Sequence, residues 1–262
     1  MNPYKILFLD IDGTIMRPVH TIEESTKAAI TELQQKGIET VLATGRPIHE
    51  ITEIAQLLHI DSFIGYNGAY AIYKGKDIFK KPMSRESVIS FLDTAKKHHH
   101  ELVLYSSSKN HFTNMYSPSI EAFKKQFHLY QNEPYTRSVS DDILGMTIIA
   151  TNERDADLYF GEKDINLSQV NVEGFRHCFD VIRESVHKGT GVNALLQELQ
   201  IPIEASIAFG DGMNDKEMIA AVGEGFAMGN SMPELFSFAK HKTTSVMDSG
   251  VYNGLKSLGL LD

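Results

Sequence analysis

Only one cysteine, Cys178, stands in 262 residues. That excludes an intramolecular disulfide and fits a reducing compartment. Its apolar neighbours Phe179, Val181 and Ile182 predict a packed thiol rather than a reactive one. Basic residues are also in deficit, 25 Lys and Arg against 34 Asp and Glu, for a formal net charge of −9. Broad binding to a nucleic-acid polymer wants a basic face and is not expected. No apolar run approaches the roughly 20 residues of a membrane span. The first such run is short and followed at once by acids, unlike a secretory signal. Internal repeats and low-complexity segments are absent too. The expectation is a soluble, cytoplasmic protein without a membrane partner. Hydrophobic content of 42% and charged content of 23% are ordinary for a globular enzyme, in one large domain or two small ones.

What is present begins near the amino terminus with Ile6-Leu7-Phe8-Leu9, an unbroken apolar run that reads as a buried strand, followed by Asp10-Ile11-Asp12-Gly13-Thr14. Residues two apart on a strand share a face, so Asp10 and Asp12 converge if the strand persists that far. Two such carboxylates make sense around a cation, or with one attacking while the other trades protons. The plainer alternative is an Asp-Gly loop.

The pattern continues as strand and helix in alternation. Thr21 and Glu24 have capping-box spacing ahead of an apolar stripe, with Gly37 as the stop. A strand over 38–43 ends in Thr44-Gly45-Arg46-Pro47, a helix covers 48–58, and a short strand over 62–64 leads to a hairpin signal at Asn67-Gly68. This is the rhythm of a parallel sheet with helical crossovers. It changes near Pro82. Helices over 84–97, 117–127 and 152–161 and strands over 102–105, 112–115, 143–150, 170–175 and 179–183 predict an antiparallel sheet covered on one face. His98, His99 and His100 fan around a helix end and read as a solvated terminus. After Glu184 the parallel rhythm returns. A helix follows Lys188, a strand over 205–209 runs into Gly210-Asp211-Gly212-Met213-Asn214-Asp215, and a strand over 226–228 and a terminal helix close the chain. The expected organisation is a core of 1–82 and 186–262 interrupted by an α/β insert of 83–185.

Four polar clusters thus stand at strand or helix ends, where open parallel sheets bind ligands. Each alone is weak, but their order is specific. Asp10-Ile11-Asp12-Gly13-Thr14, Thr44-Gly45-Arg46, Lys188 and Gly210-Asp211-Gly212-Met213-Asn214-Asp215 resemble the four motifs of the haloacid dehalogenase superfamily. The chain is similar to its Cof-type phosphatases, which carry a large α/β cap between the second and third motifs. Asn67-Gly68-Ala69 and Met228-Gly229-Asn230 also recur in such proteins. The resemblance implies a Rossmann-like core and an inserted cap, and Mg²⁺-dependent hydrolysis of a small phosphorylated metabolite such as a sugar phosphate, nucleotide or phosphorylated cofactor.

The resemblance also assigns roles. Asp10 is the nucleophile and a metal ligand, and Asp12 is the general acid and base, with its backbone carbonyl on the metal. Asp211 is the remaining protein ligand. Thr44, Gly45, Lys188 and Asn214 hold the phosphoryl group, while Asp215 acts through water or holds Lys188. Arg46 is a weaker candidate for substrate or cap contact. A phosphomutase of the same superfamily and a non-catalytic phosphometabolite sensor are the alternatives. Asp12 argues against a dehalogenase. A monomer or weak homodimer is expected.

Overall fold

The computed structural model describes residues 3–159 and 163–261. The chain forms two compact units: Met1–Arg46 with Thr52–Lys80 and His187–Asp262, and Pro47–Ile51 with Lys81–Val186.

In chain order, the first stretch gives β1 (Ile6–Leu9), α1 (Glu24–Gln35), β2 (Glu39–Ala43), α2 (Thr52–Leu58), β3 (Phe63–Gly65), β4 (Tyr70–Tyr73) and β5 (Lys76–Lys80). The middle gives α3 (Arg85–His98), β6 (Glu101–Tyr105), β7 (Asn110–Phe112), α4 (Pro118–Gln126), β8 (Asn132–Pro134), β9 (Gly145–Ile149), β10 (Ile165–Gln169) and β11 (Cys178–Arg183). The last stretch gives α5 (Lys188–Glu198), β12 (Ser206–Gly210), α6 (Lys216–Ala220), β13 (Glu224–Ala227), β14 (His241–Lys242) and α7 (Gly250–Ser257).

The first unit is built on an eight-stranded sheet in the order β14-β13-β12-β1-β2-β3-β4-β5. Pairing is parallel from β14 to β3 and antiparallel from β3 to β5. All four residues of β1 are 0% exposed, as a central parallel strand requires, since helices cover both faces of such a sheet. On one face Ile6, Phe8, Val41 and Ala208 pack against Val192, Leu195 and Leu196 of α5. The second unit has a six-stranded sheet in the order β10-β11-β9-β6-β7-β8, antiparallel except for the parallel β7–β8 pair. Leu102, Leu104, Met146, Ile148, Phe179 and Val181 make one packed face with α3. The molecule is α/β, with a parallel-sheet core and an inserted second α/β unit. No helix among the described residues is long and apolar enough to cross a membrane.

Several local expectations are corrected. Thr21 caps nothing: α1 begins at Glu24, and Thr21 Oγ1 instead accepts from Arg17 Nε at 3.1 Å. The strand expected over 170–175 lies earlier, at Ile165–Gln169, where Ile165 and Leu167 alternate against β11. Residues 170–177 are the link, turning at Gly174 with φ +82°. The helix expected over 152–161 is a 3-10 stretch, Glu153–Tyr159, and its last two predicted residues lie outside the described residues. The histidine run is not uniformly solvated. His100 is buried, with Nδ1 2.8 Å from the Tyr159 hydroxyl and Nε2 3.2 Å from Asp155. Cys178 is packed as expected, at 0% exposure, and burial pushes its thiol up to about 12.

Candidate active site

Asp10, Thr44 and Asp211 are the first residues beyond β1, β2 and β12. Because β1 pairs with both β12 and β2, these residues stand side by side at the carboxyl edge of the sheet, where doubly wound sheets open a crevice. The Asp10 N–H donates to the Phe209 carbonyl at 3.0 Å, which extends the β1–β12 ladder by one residue and fixes where the carboxylate begins.

Lys188 opens α5 and is 0% exposed. Its Nζ donates to Asp10 Oδ1 at 2.5 Å and to Asp215 Oδ1 at 2.6 Å. The other Asp215 oxygen accepts the backbone N–H groups of Asp211 and Gly212, both at 3.0 Å. Asp215 therefore shapes the loop that carries Asp211 and holds the lysine at the same time. Asp10 Oδ2 has no hydrogen-bond partner among the described residues.

The charges do not balance. Carboxylate oxygens of Asp10, Asp211 and Asp215 lie within 4.8 Å of one another, with one ammonium among them. Burial, then the charge of Asp215, pushes the Asp10 carboxyl up to about 8 against the pull of Lys188. The same two causes push Asp211 up to about 6. Burial also works against the Lys188 charge, but Asp10 and Asp215 outweigh it and hold its pKa above the ordinary value. Crowded, partly buried oxygen donors with surplus negative charge fit a hard divalent cation.

Asp12 departs from the expected strand alternation. The strand ends at Leu9, so the period-two argument does not carry Asp12 to the side of Asp10. Its side chain is 56% exposed and is gripped by Arg46, with Nε 2.8 Å from Oδ2 and Nη2 2.5 Å from Oδ1. Thr44 is 1% exposed, and its Oγ1 accepts the Arg46 N–H at 3.1 Å. Asn214 Nδ2 donates to Asn67 Oδ1 at 3.1 Å. A Cβ on Gly45 would sit 2.9 Å from that same Asn67 oxygen, so Thr44, Gly45, Asn67 and Asn214 form one polar cluster.

Three residues given no role in advance also join the site. Thr14 Oγ1 donates to Asp211 Oδ1 at 3.3 Å. Asn230 Nδ2 donates to Asp211 Oδ2 at 3.1 Å and to the Gly13 carbonyl at 2.9 Å, while its Oδ1 accepts the Val246 N–H at 2.8 Å. Asn67 takes the left-handed conformation at φ 53°. The sequence signals were Thr14 inside the first motif and the recurring Asn67-Gly68 and Gly229-Asn230 pairs. Gly13 lets the first and last motifs meet: its φ is +82°, and a Cβ there would fall on the Asp211 carboxylate.

Residues 7–255 match the family model of the haloacid dehalogenase-like hydrolases. The YkrA protein of Bacillus subtilis (strain 168) is 31% identical over 261 residues, covering 98% of both chains. The HMP-PP phosphatase of Cronobacter sakazakii is 27% identical over 88% of this chain and 86% of its own. A crystal structure from Geobacillus kaustophilus HTA426 superposes with a TM-score of 0.89 at 29% identity, covering 98% of this chain and 100% of its own. The sugar phosphatase BT4131, of subclass IIB, shares the fold at a TM-score of 0.81 and 23% identity, over 98% and 100%. This chain belongs to the haloacid dehalogenase-like hydrolases.

Proposed function

We propose that the protein is a Mg²⁺-dependent phosphatase that hydrolyses phosphate monoesters of small metabolites through an aspartyl-phosphate on Asp10. The observation that carries this reading is Lys188, fully buried and bridging Asp10 and Asp215 beside Asp211. The name of the Cronobacter relative, HMP-PP phosphatase, supports a small phosphorylated substrate.

An anionic nucleophile meets an anionic phosphate, and two unit charges about 4 Å apart repel by roughly 4 kcal/mol at an effective dielectric near 20. Lys188 offsets part of that repulsion from within the protein. Asp10, Asp211 and the Asp12 carbonyl would hold Mg²⁺, which when bound supplies the remaining neutralisation and orients the phosphoryl oxygens. Asp10 Oδ2, free of hydrogen bonds among the described residues, attacks phosphorus as the bond to the leaving oxygen breaks. Asp12 gives that oxygen its proton. A water then attacks the aspartyl-phosphate, Asp12 takes up its proton, and the Asp10–phosphorus bond opens to release inorganic phosphate. To donate, Asp12 must free one oxygen from the Arg46 grip. The Thr44 hydroxyl, the Gly45 N–H and Asn214 hold phosphoryl oxygens, and Asp215 keeps Lys188 charged and in place. The inserted unit, residues 83–185, selects the leaving group.

Phosphate release from a panel of monoesters tests the reading. The wild type should need Mg²⁺ and lose activity in EDTA, and Asp10→Asn should show no turnover with an unchanged circular dichroism spectrum. Near-normal release by Asp10→Asn would refute the nucleophile. Formation of an isomeric phosphate in place of inorganic phosphate would point to a mutase.

A further inference from the structure

Asn230 lies just beyond β13, and its place is set by the backbone on either side. The Met228 N–H donates to the Gly210 carbonyl and the Gly229 N–H to the Thr244 carbonyl, both at 3.0 Å. Residues 228–230 are therefore held between the ends of β12 and β14, which flank β13 in the sheet. The fit is close: a Cβ on Gly229 would sit 2.8 Å from the Ser245 nitrogen. From this turn the exposed Asn230 side chain reaches the loops that follow β1, β12 and β14. All of these residues belong to the first unit.

Backbone partners also fix which way the amide points. A carbonyl only accepts and a backbone N–H only donates. The Gly13 carbonyl therefore selects Nδ2 and the Val246 N–H selects Oδ1. The remaining Nδ2 proton goes to Asp211 Oδ2 at 3.1 Å, while the Thr14 hydroxyl donates to Asp211 Oδ1 at 3.3 Å. Each oxygen of Asp211 thus has a neutral donor. Asp10 and Asp215 share the Lys188 ammonium, but among the described residues no Lys, Arg or His pairs with Asp211. Neutral donors orient a carboxylate without cancelling its charge, and each oxygen keeps lone-pair capacity. Joining the loops would need only the bonds to Gly13 and Val246. The further bond, to an acid without a counter-ion, is what a cation ligand requires.

We infer that Asn230 is a positioning residue for divalent-cation binding, which together with Thr14 holds the Asp211 carboxylate in one orientation and so selects the smaller ion. The inference rests on the proposed function in one respect, that Asp211 is a metal ligand. Hydrogen bonds that hold a ligating side chain are typically worth about 10–100-fold in metal affinity. They matter unequally for different ions. Mg²⁺ demands near-ideal octahedral geometry, whereas the larger Ca²⁺ accepts a flexible and irregular set of oxygens. A carboxylate released from Asn230 can still follow Ca²⁺, but it meets Mg²⁺ in the required orientation only part of the time. Asn230 therefore sets the preference between the two ions as well as the affinity for Mg²⁺.

The experiment titrates the EDTA-stripped whole chain with MgCl₂ and with CaCl₂ in a calorimeter, for wild type, Asn230→Ala and Thr14→Val. Circular dichroism checks that each variant is folded, and the isosteric Thr14→Val removes a donor from the same carboxylate without opening a cavity. Asn230→Ala should weaken Mg²⁺ binding about tenfold or more, and Ca²⁺ binding by less than about threefold. Thr14→Val should shift the ratio of the two affinities in the same direction, by less, because its bond is the longer one. A side chain that merely ties loops together would leave that ratio where it is in wild type. Equal losses for Mg²⁺ and Ca²⁺, or a Mg²⁺ affinity equal to that of wild type, would therefore overturn the inference. If wild type also releases phosphate only with Mg²⁺ present, the inference falls alone and the phosphatase reading stands. If wild type takes up no Mg²⁺ and releases phosphate equally well in EDTA, both fall.

Discussion

Removing the Lys188 ammonium leaves Asp10 and Asp215 facing each other in a buried setting, with Asp211 close by. Taking one partner from a buried ion pair costs about 3–5 kcal/mol, because the remaining charge is neither solvated nor paired. Lys188→Met keeps the length and apolar stem of the side chain, so its metal-free form should lose stability on that scale in urea unfolding. Added Mg²⁺ should restore part of the loss by replacing the missing positive charge. Phosphate release should fall at least about tenfold even with metal present, since the group opposite Asp10 is gone. An unchanged rate would make Lys188 a bystander. Gly13→Ala tests the same site from the backbone. The left-handed conformation costs an L-residue roughly 1–2 kcal/mol, and the new methyl falls on the Asp211 carboxylate. Mg²⁺ affinity measured by calorimetry should therefore drop, while the circular dichroism spectrum is retained.

Among the elements, the segment Pro47–Ile51 directly follows Arg46 yet belongs to the second unit. Glu50 holds it there. Its side chain is 6% exposed and accepts from the Asn110 amide and from the backbone N–H groups of Tyr130 and Gln131, the last two at 3.1 and 3.4 Å. Asn110 is itself 0% exposed and is bonded to His49 and Asn132 at 2.8 and 3.0 Å. Glu50→Ala leaves these donors unmet, at about 1–3 kcal/mol for a buried unsatisfied group. It should lower the unfolding midpoint and speed hydrogen exchange at residues 130 and 131, and unchanged exchange there would remove the anchoring role. None of this was readable in the sequence, where 48–58 looked like one helix. Apolar spacing reports burial against a local partner, and Glu50 is buried by residues 60 to 81 positions away. Strands β1, β2 and β12 were legible because a fully buried parallel strand needs an unbroken apolar run. Strand β8, which reads Asn132-Glu133-Pro134, lacks one and was missed. The same limit applied to the site. Asp10, Lys188, Asp211 and Asp215 sit in recognisable motifs, whereas the Arg46–Asp12 grip and the Asn230–Asp211 bond span 34 and 19 residues. Only the fold closes such distances.

For the whole molecule, the site couples protons, metal and stability. In the metal-free protein the Asp10 carboxyl is pushed up to about 8 and that of Asp211 up to about 6, from an ordinary value of 3.8. A carboxyl whose folded pKa is raised stabilises the fold while it keeps its proton. That contribution is full below about pH 4 and is lost as pH climbs through 6 toward 8. Total stability does not isolate this effect, because His49, His100 and His111 run the other way. Burial lowers the pKa of each, so their contribution grows as pH rises through the ordinary histidine range. The difference between Mg²⁺ and EDTA cancels the histidines and leaves the site. Metal competes with the protons on Asp10 and Asp211, and its binding releases them. The melting temperature gained on adding Mg²⁺ should therefore be small near pH 5 and rise steadily to about pH 8. The increment is at most about 1.4 kcal/mol per pH unit for each proton displaced. Calorimetric scans at matched ionic strength measure this directly. A metal-induced gain that stays flat across that range would mean that these carboxylates do not hold the ion.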